Sequence, residues 1–126
     1  MDTATPLVLI VDDEPHIVMA IDFLMQQAGY HTLQAHDGQA ALHMAQQQPP
    51  DLIILDVMMP HMDGFEVAQQ LRRDPIFQDT KILFLTARSA DQDKIQGYGS
   101  GGDLYLTKPF DNQELVDMVS EMLQYG

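Results

Sequence analysis

Five side chains that can support phosphate or metal chemistry each follow a short apolar run of the sequence. They are three carboxylates, one hydroxyl and one ammonium group: Asp12, Asp13, Asp56, Thr86 and Lys108. In a parallel sheet the carboxyl ends of neighbouring strands lie at one edge, so these groups are expected to meet there. Two carboxylates about 4 Å apart repel each other by about 4 kcal/mol at an effective dielectric constant of roughly 20. Such a cluster therefore needs a compensating cation.

The ligand atoms indicate which cation this is. An all-oxygen site suits Mg²⁺, which accepts one or two carboxylates, keeps several waters and binds phosphate oxygens. Lys108 adds a fixed positive charge, and Thr86 adds a hydroxyl donor. Because a carboxylate can accept a phosphoryl group, the sequence predicts a site that forms an acyl phosphate. Asp56 is the expected acceptor since it follows a buried run, whereas Asp12 and Asp13 precede a helix and suit metal binding.

The elements that must position these groups alternate along the chain. Three of the apolar runs are near-continuous Val, Ile and Leu, as in strands that are covered on both faces. The second run is the weakest and is expected toward a sheet edge. An alternation of strand and helix predicts an α/β fold with a parallel sheet, helices on both faces and right-handed crossovers. The five predicted strands are residues 7–11, 30–35, 52–55, 82–85 and 104–106.

Helical patterns separate the strands. The first has Pro15 in its opening turn, a predicted buried face of Ile17, Ile21, Leu24 and Ala28, and a stop at Gly29. The second is capped by Asp37 and runs to about Gln47, and the third covers residues 65–73. Segment 89–102 contains four glycines near its end and is expected to be short or easily unwound. In the last, Asp111 and Glu114 have capping-box spacing.

Composition limits the possible functions. Residues 1–126 are expected to form a single domain, with no linker or internal repeat. The formal net charge is −13, which disfavours direct nucleic-acid binding. The sequence contains no cysteine, and it has neither a secretory leader nor an apolar stretch long enough to span a membrane. We therefore expect a cytoplasmic protein.

Four motifs together resemble the receiver domains of bacterial response regulators. They are VDDEP at 11–15, LDVMMPHMDG at 55–64, LTA at 85–87 and YLTKPF at 105–110. The resemblance covers essentially the whole chain. It implies a flavodoxin-like, doubly wound five-stranded sheet of order 2-1-3-4-5. It also implies phosphorylation of Asp56, with Mg²⁺ bound by Asp13, Asp56 and the main-chain carbonyl of Met58, and by Asp12 mainly through water.

The same resemblance implies how the domain is used. Thr86 and Lys108 would grip the phosphoryl oxygens, the Lys108–Pro109 bond would be cis, and Tyr105 would swing inward as Thr86 moves. The phosphoryl group would come from a sensor histidine kinase or a histidine phosphotransfer protein. Phosphorylation would switch the surface formed by segment 89–102, the fifth strand and the last helix, and so regulate a downstream protein partner or output domain. Only self-phosphorylation and self-dephosphorylation are expected, not enzymatic turnover.

Three other functions remain to be distinguished. An aspartate-nucleophile phosphatase has a second Asp two residues after the nucleophile, where this chain has Met58, which has no proton to exchange. A flavin- or nucleotide-binding module needs a glycine- or hydroxyl-rich loop after the first strand, and this chain has Asp12-Asp13-Glu14 there. An unphosphorylated interaction domain would not need the phosphorylation residues that are present. The sequence does not decide between a monomer and a dimer, or between a stand-alone regulator and part of a longer protein.

Overall fold

The computed structural model describes residues 5–87 and 104–125. Strands and helices alternate along these segments, as predicted. Segment 89–102, for which a short or easily unwound helix is predicted, lies outside the described residues. The elements are β1 (Leu7–Val11), α1 (Pro15–Gln27), β2 (His31–Ala35), α2 (Gly38–Gln47), β3 (Leu52–Asp56), α3 (Gly64–Arg72), a 3-10 turn (Pro75–Phe77), β4 (Lys81–Ala87), β5 (Leu104–Lys108) and α4 (Asn112–Tyr125).

The five strands form one parallel sheet in the order β2-β1-β3-β4-β5. This confirms the fold class and the strand order. β3 is central, and its last residue, Asp56, is in register with Leu85 of β4. β2 is an edge strand, as expected from its weak apolar run. The main difference is the length of β4, which extends to Ala87 and so includes Thr86 within the strand.

Helices cover both faces of the sheet. One face carries α2 and α3, and the other carries α1 and α4. Alternate residues of one strand point to opposite layers: Leu9 and Val11 pack under α2 and α3, whereas Val8 and Ile10 pack under α1 and α4. Burial on both faces is why the inner strands β1 and β3 carry continuous apolar runs that do not alternate with polar residues.

α1 begins and ends where the sequence predicts. Pro15 occupies its first turn, and Gly29 lies just beyond its end with φ +99°. The main-chain N–H of Gly29 donates to Gln26, and that of Tyr30 donates to Met25, which is the Schellman arrangement that a left-handed glycine permits. The predicted buried face was partly wrong. The buried residues of α1 are Val18, Ile21 and Met25, because the helix lies on the sheet along that line, and Ala28 is exposed beyond the last turn.

Local side-chain hydrogen bonds set the starts of the next helices. The carboxylate of Asp37 accepts from the Ala40 N–H at 2.8 Å and caps α2, as predicted.

The remaining helices differ little from the prediction. α3 ends at Arg72, one residue before the predicted end. In α4 the Leu115 N–H donates to the main-chain oxygen of Asp111, while the capping box proposed there stays a prediction. Within residues 5–87 and 104–125, no helix is long and apolar enough to cross a membrane.

Candidate functional site

Three carboxylates meet at the carboxyl edge of the sheet. Asp12 and Asp13 follow β1, and Asp56 ends β3, which lies next to β1 in the sheet. Each offers a carboxylate oxygen within 4.8 Å of the other two. Asp12 is fully buried and Asp56 is 3% exposed, whereas Asp13 is exposed. The cluster is therefore buried on the side of Asp12 and Asp56 and open to solvent or a ligand on the side of Asp13.

Asp12 is held in place by both of its carboxylate oxygens. One oxygen accepts a hydrogen bond from the Glu14 N–H at 3.0 Å, and the other lies 3.0 Å from the Lys108 ammonium nitrogen. The first bond lies within the turn that leads into α1. The second spans the sheet from β1 to the end of β5. Asp12 therefore fixes the position of the lysine and has no carboxylate oxygen without a hydrogen bond.

Lys108 bridges two of the acids. Its Nζ lies 3.0 Å from Asp12 and 3.1 Å from Asp56. Burial of the ammonium group alone would lower its pKa, but the hydrogen bond to Asp12 and the charges of Asp56 and Asp12 outweigh that effect and raise the pKa of Lys108. The side chain thus stays positively charged at neutral pH. The Lys108–Pro109 bond that follows is cis, as the resemblance implies.

One lysine does not neutralise the cluster. Burial raises the pKa of Asp56, and the nearby charge of Asp12 raises it further. Lys108 lowers it, Asp13 raises it slightly, and the pKa of Asp56 settles at about 6 against an ordinary 3.8. A cation bound beside Asp56 would oppose both the effect of burial and the repulsion from Asp12, and so favour the ionised carboxylate. The all-oxygen cluster fits a hard divalent cation such as Mg²⁺.

The other three predicted site residues differ in their burial. Thr86 is 2% exposed near the end of β4. Met58 follows β3, and its side chain is 53% exposed at the surface. Tyr105, on β5, is partly buried, and its ring stacks on Phe84 with centroids 5.5 Å apart. Thr86 therefore lies beneath the surface, whereas Met58 reaches solvent.

Two features of the loop after β3 were not identified from the sequence. Asp63 and Glu66 form a capping box at the start of α3, with side-chain to main-chain distances of 2.9 and 3.1 Å. The D-x-x-E spacing at 63–66 is the signal that could have revealed it. Gly64 lies directly against β3, since a Cβ on it would stand 2.4 Å from the main-chain oxygen of Asp56. No local pattern predicts that contact, because the two residues meet only through the fold.

Comparison with known proteins identifies the family. The sequence matches the response regulator receiver domain over residues 8–120. It is 48% identical over 119 residues to the DNA-binding dual master transcriptional regulator RpaA of Synechocystis sp., covering 94% of this chain and 49% of that protein. It is 42% identical over 117 residues to the alkaline phosphatase synthesis transcriptional regulatory protein PhoP of Bacillus subtilis, covering 93% and 48%.

Solved structures agree in fold over the same region. The chemotaxis protein CheY4 of Vibrio cholerae superimposes with a TM-score of 0.87 at 36% identity, covering 94% of this chain and 99% of that one. The chain spans about half the length of the two transcriptional regulators. Its match thus corresponds to their receiver portion. The chain belongs to the response regulator receiver domain family of two-component signalling.

Proposed function

We propose that this receiver domain accepts a phosphoryl group on the Asp56 carboxylate, with a phosphohistidine of a sensor kinase or of a phosphotransfer protein as the donor. Residues 1–126 would act as one module in this reaction. The observation that carries the proposal is the buried Asp56 carboxylate, 3.1 Å from Lys108 and grouped with the carboxylates of Asp12 and Asp13. A carboxylate in such a setting is a suitable phosphoryl acceptor.

Asp56 is a better acceptor than either neighbouring acid. Both oxygens of Asp12 are already engaged, by Glu14 and by Lys108. Asp13 is exposed in a loop, so its position is less constrained. Asp56 ends a central strand, and its pKa of about 6 leaves it mostly ionised at neutral pH yet more basic than an ordinary carboxylate. Greater basicity favours attack on phosphorus.

The transfer makes one bond and breaks one. An oxygen of Asp56 attacks the phosphorus of the phosphohistidine, the phosphorus–nitrogen bond breaks, and its electron pair stays on the imidazole, which then takes up a proton. Lys108 and Thr86 stabilise the charge on the transferring group, through an ammonium and a hydroxyl donor. Positioning supplies most of the remaining catalysis.

Asp13, Asp56 and the main-chain carbonyl of Met58 would hold Mg²⁺ directly, and Asp12 would hold it mainly through water. When bound, Mg²⁺ supplies positive charge beside the phosphoryl oxygens. The proposal is supported by the oxygen-only cluster of three acids and by the raised pKa of Asp56. The chain's own contribution is to keep Asp12 and Lys108 fixed beside the acceptor before the donor arrives.

Phosphorylation would then switch a surface. The added negative charge draws Thr86 and Lys108 toward Asp56, and Tyr105 on β5 follows as Thr86 moves. The surface affected would include β5 and α4, and it would contact a downstream protein partner or an output domain. The chain itself would perform only self-phosphorylation and self-dephosphorylation. With a net charge of −13, we do not assign direct nucleic-acid binding to this domain.

The test is intact mass spectrometry after incubation with acetyl phosphate. With Mg²⁺, the wild-type protein should gain one phosphoryl group, and with EDTA it should gain none. Asp56→Asn should remain unlabelled. Asp79→Asn, which removes one exposed carboxylate in the turn before β4, should label like the wild type. Labelling of Asp56→Asn, a wild-type protein indifferent to phosphodonor and Mg²⁺, or sustained turnover of phosphate esters would refute the proposal.

A further inference from the structure

The loop between β3 and α3, residues 57–63, follows the proposed acceptor and contains Met58. Its two ends are well anchored. The Val57 N–H donates to Leu85 of β4 at 3.0 Å, and the Gly64 N–H donates to the Val57 oxygen at 2.9 Å. Asp63 and Glu66 close the far end with the capping box of α3. The middle of the loop therefore has to reverse direction within a few residues.

That reversal uses an unfavourable backbone conformation. His61 has φ +70°, and the Met62 N–H donates to the Pro60 oxygen at 2.8 Å, which closes a three-residue γ-turn. A non-glycine residue adopts positive φ only when its surroundings impose it. Some contact must therefore hold the loop in this shape.

Two side chains of the loop make such contacts: Met59 is buried in the core, and Met62 is partly buried and packs against the same core. Gly38, the first residue of α2, is so close to Met62 that a Cβ on Gly38 would stand 3.0 Å from the Met62 Cβ, from the Met62 Sδ and from a Val67 methyl. On the other side, the Gln70 side-chain nitrogen lies 3.9 Å from the Met62 Sδ. We call Gly38, Val67 and Gln70 the Met62 seat. Met62 of the loop is thus packed between residues of α2 and α3.

We propose that Met62, held in its seat against Gly38, is a positioning residue for the Mg²⁺ site. It fixes the β3–α3 loop so that the main-chain carbonyl of Met58 stands where Mg²⁺ requires a ligand. This inference rests on the proposed function, because it takes the Met58 carbonyl as one of the ligands. Met62 itself contacts neither metal nor phosphoryl group.

The choice of metal ion gives a specific test. Mg²⁺ demands near-ideal octahedral geometry at short distances, whereas Ca²⁺ accepts longer and more variable ones. A loop displaced by a few tenths of an ångström should therefore weaken Mg²⁺ binding much more than Ca²⁺ binding. A general loss of stability would not produce that selectivity.

The experiment compares the dissociation constants of both ions, measured by titration calorimetry of the unphosphorylated protein. Gly38→Ala and Met62→Ala should each weaken Mg²⁺ binding by about tenfold, the lower range for residues that orient metal ligands. Ca²⁺ binding should change by less than about twofold, because its ligand geometry is flexible. Met62→Leu, which keeps the side-chain volume, should restore Mg²⁺ binding. Met19→Ala removes an exposed methionine of α1 and serves as the control.

The outcomes separate this inference from the proposed function. A wild-type protein that does not bind Mg²⁺ would refute the proposed function itself. The role of Met62 alone would be refuted if the wild type binds Mg²⁺ but Gly38→Ala leaves the dissociation constant for Mg²⁺ unchanged. It would also be refuted if Gly38→Ala weakens the binding of Mg²⁺ and Ca²⁺ equally. If Met62→Ala does not fold, Gly38→Ala carries the test, since it adds a single methyl group and leaves every ligand in the chain intact.

Discussion

Asp56→Asn should stabilise the metal-free protein at neutral pH, although it removes the proposed acceptor. Burial, together with the charge of Asp12, raises the pKa of Asp56 from 3.8 to about 6, against the opposing effect of Lys108. The ionised carboxylate is therefore held at a cost in the folded state. At about 1.4 kcal/mol for each tenfold change in proton affinity, that cost is about 3 kcal/mol. Asparagine resembles the protonated form and avoids it.

The pH dependence has a definite sign. Below pH 3.8 the carboxyl group is protonated in both states, so wild type and variant should be equally stable with respect to this group. Between pH 3.8 and about 6 the unfolded chain releases its proton first, and the wild type loses stability as the pH rises. Above about pH 6 both states are ionised, and the full difference of about 3 kcal/mol is reached.

Urea unfolding without divalent metal measures this difference. The free energy of unfolding of Asp56→Asn should exceed that of the wild type by about 3 kcal/mol at pH 7.5 and by about 1 kcal/mol at pH 4.5. Asp79→Asn, which also removes one negative charge but at an exposed position, controls for the change in net charge. Adding Mg²⁺ should stabilise the wild type far more than Asp56→Asn. A variant less stable than the wild type at pH 7.5, or a difference that does not depend on pH, would refute the reasoning.

Three further changes test the parts that surround the acceptor. Lys108→Met removes the ammonium group that lies 3.0 Å from Asp12 and 3.1 Å from Asp56. It should raise the pKa of Asp56 further, as seen by NMR titration of its carboxyl carbon, and slow acetyl-phosphate labelling by about a hundredfold or more. Gly64→Ala places a methyl group 2.4 Å from the main-chain oxygen of Asp56, where the backbone cannot yield, and should lower the free energy of unfolding in urea by about 1–3 kcal/mol. Asp63→Ala removes the acceptor for the Glu66 N–H and should lower the free energy of unfolding by about 1 kcal/mol in the same assay.

The order and type of the elements could be predicted because the signals are local. Continuous apolar runs mark strands that are covered on both faces, and Pro15, Gly29 and Asp37 mark helix ends through their own backbone and hydrogen-bonding preferences. The position of Asp56 at the end of such a run already indicated an acid at the carboxyl edge of the sheet. These inferences need only neighbouring residues.

Other features arise only from the tertiary structure. Lys108 reaches Asp12 across 96 positions of sequence, and Gly64 meets the backbone of Asp56 through the return of α3 onto β3. Ala28 was wrongly placed on the buried face of α1 because periodicity defines a stripe on a helix but not how much of its length the sheet will cover. The pKa of Asp56 likewise depends on how much water the folded chain excludes and on which charges it brings near. Sequence patterns report local conformational preferences, whereas distances between remote groups and the polarity around them are set only when the layers pack.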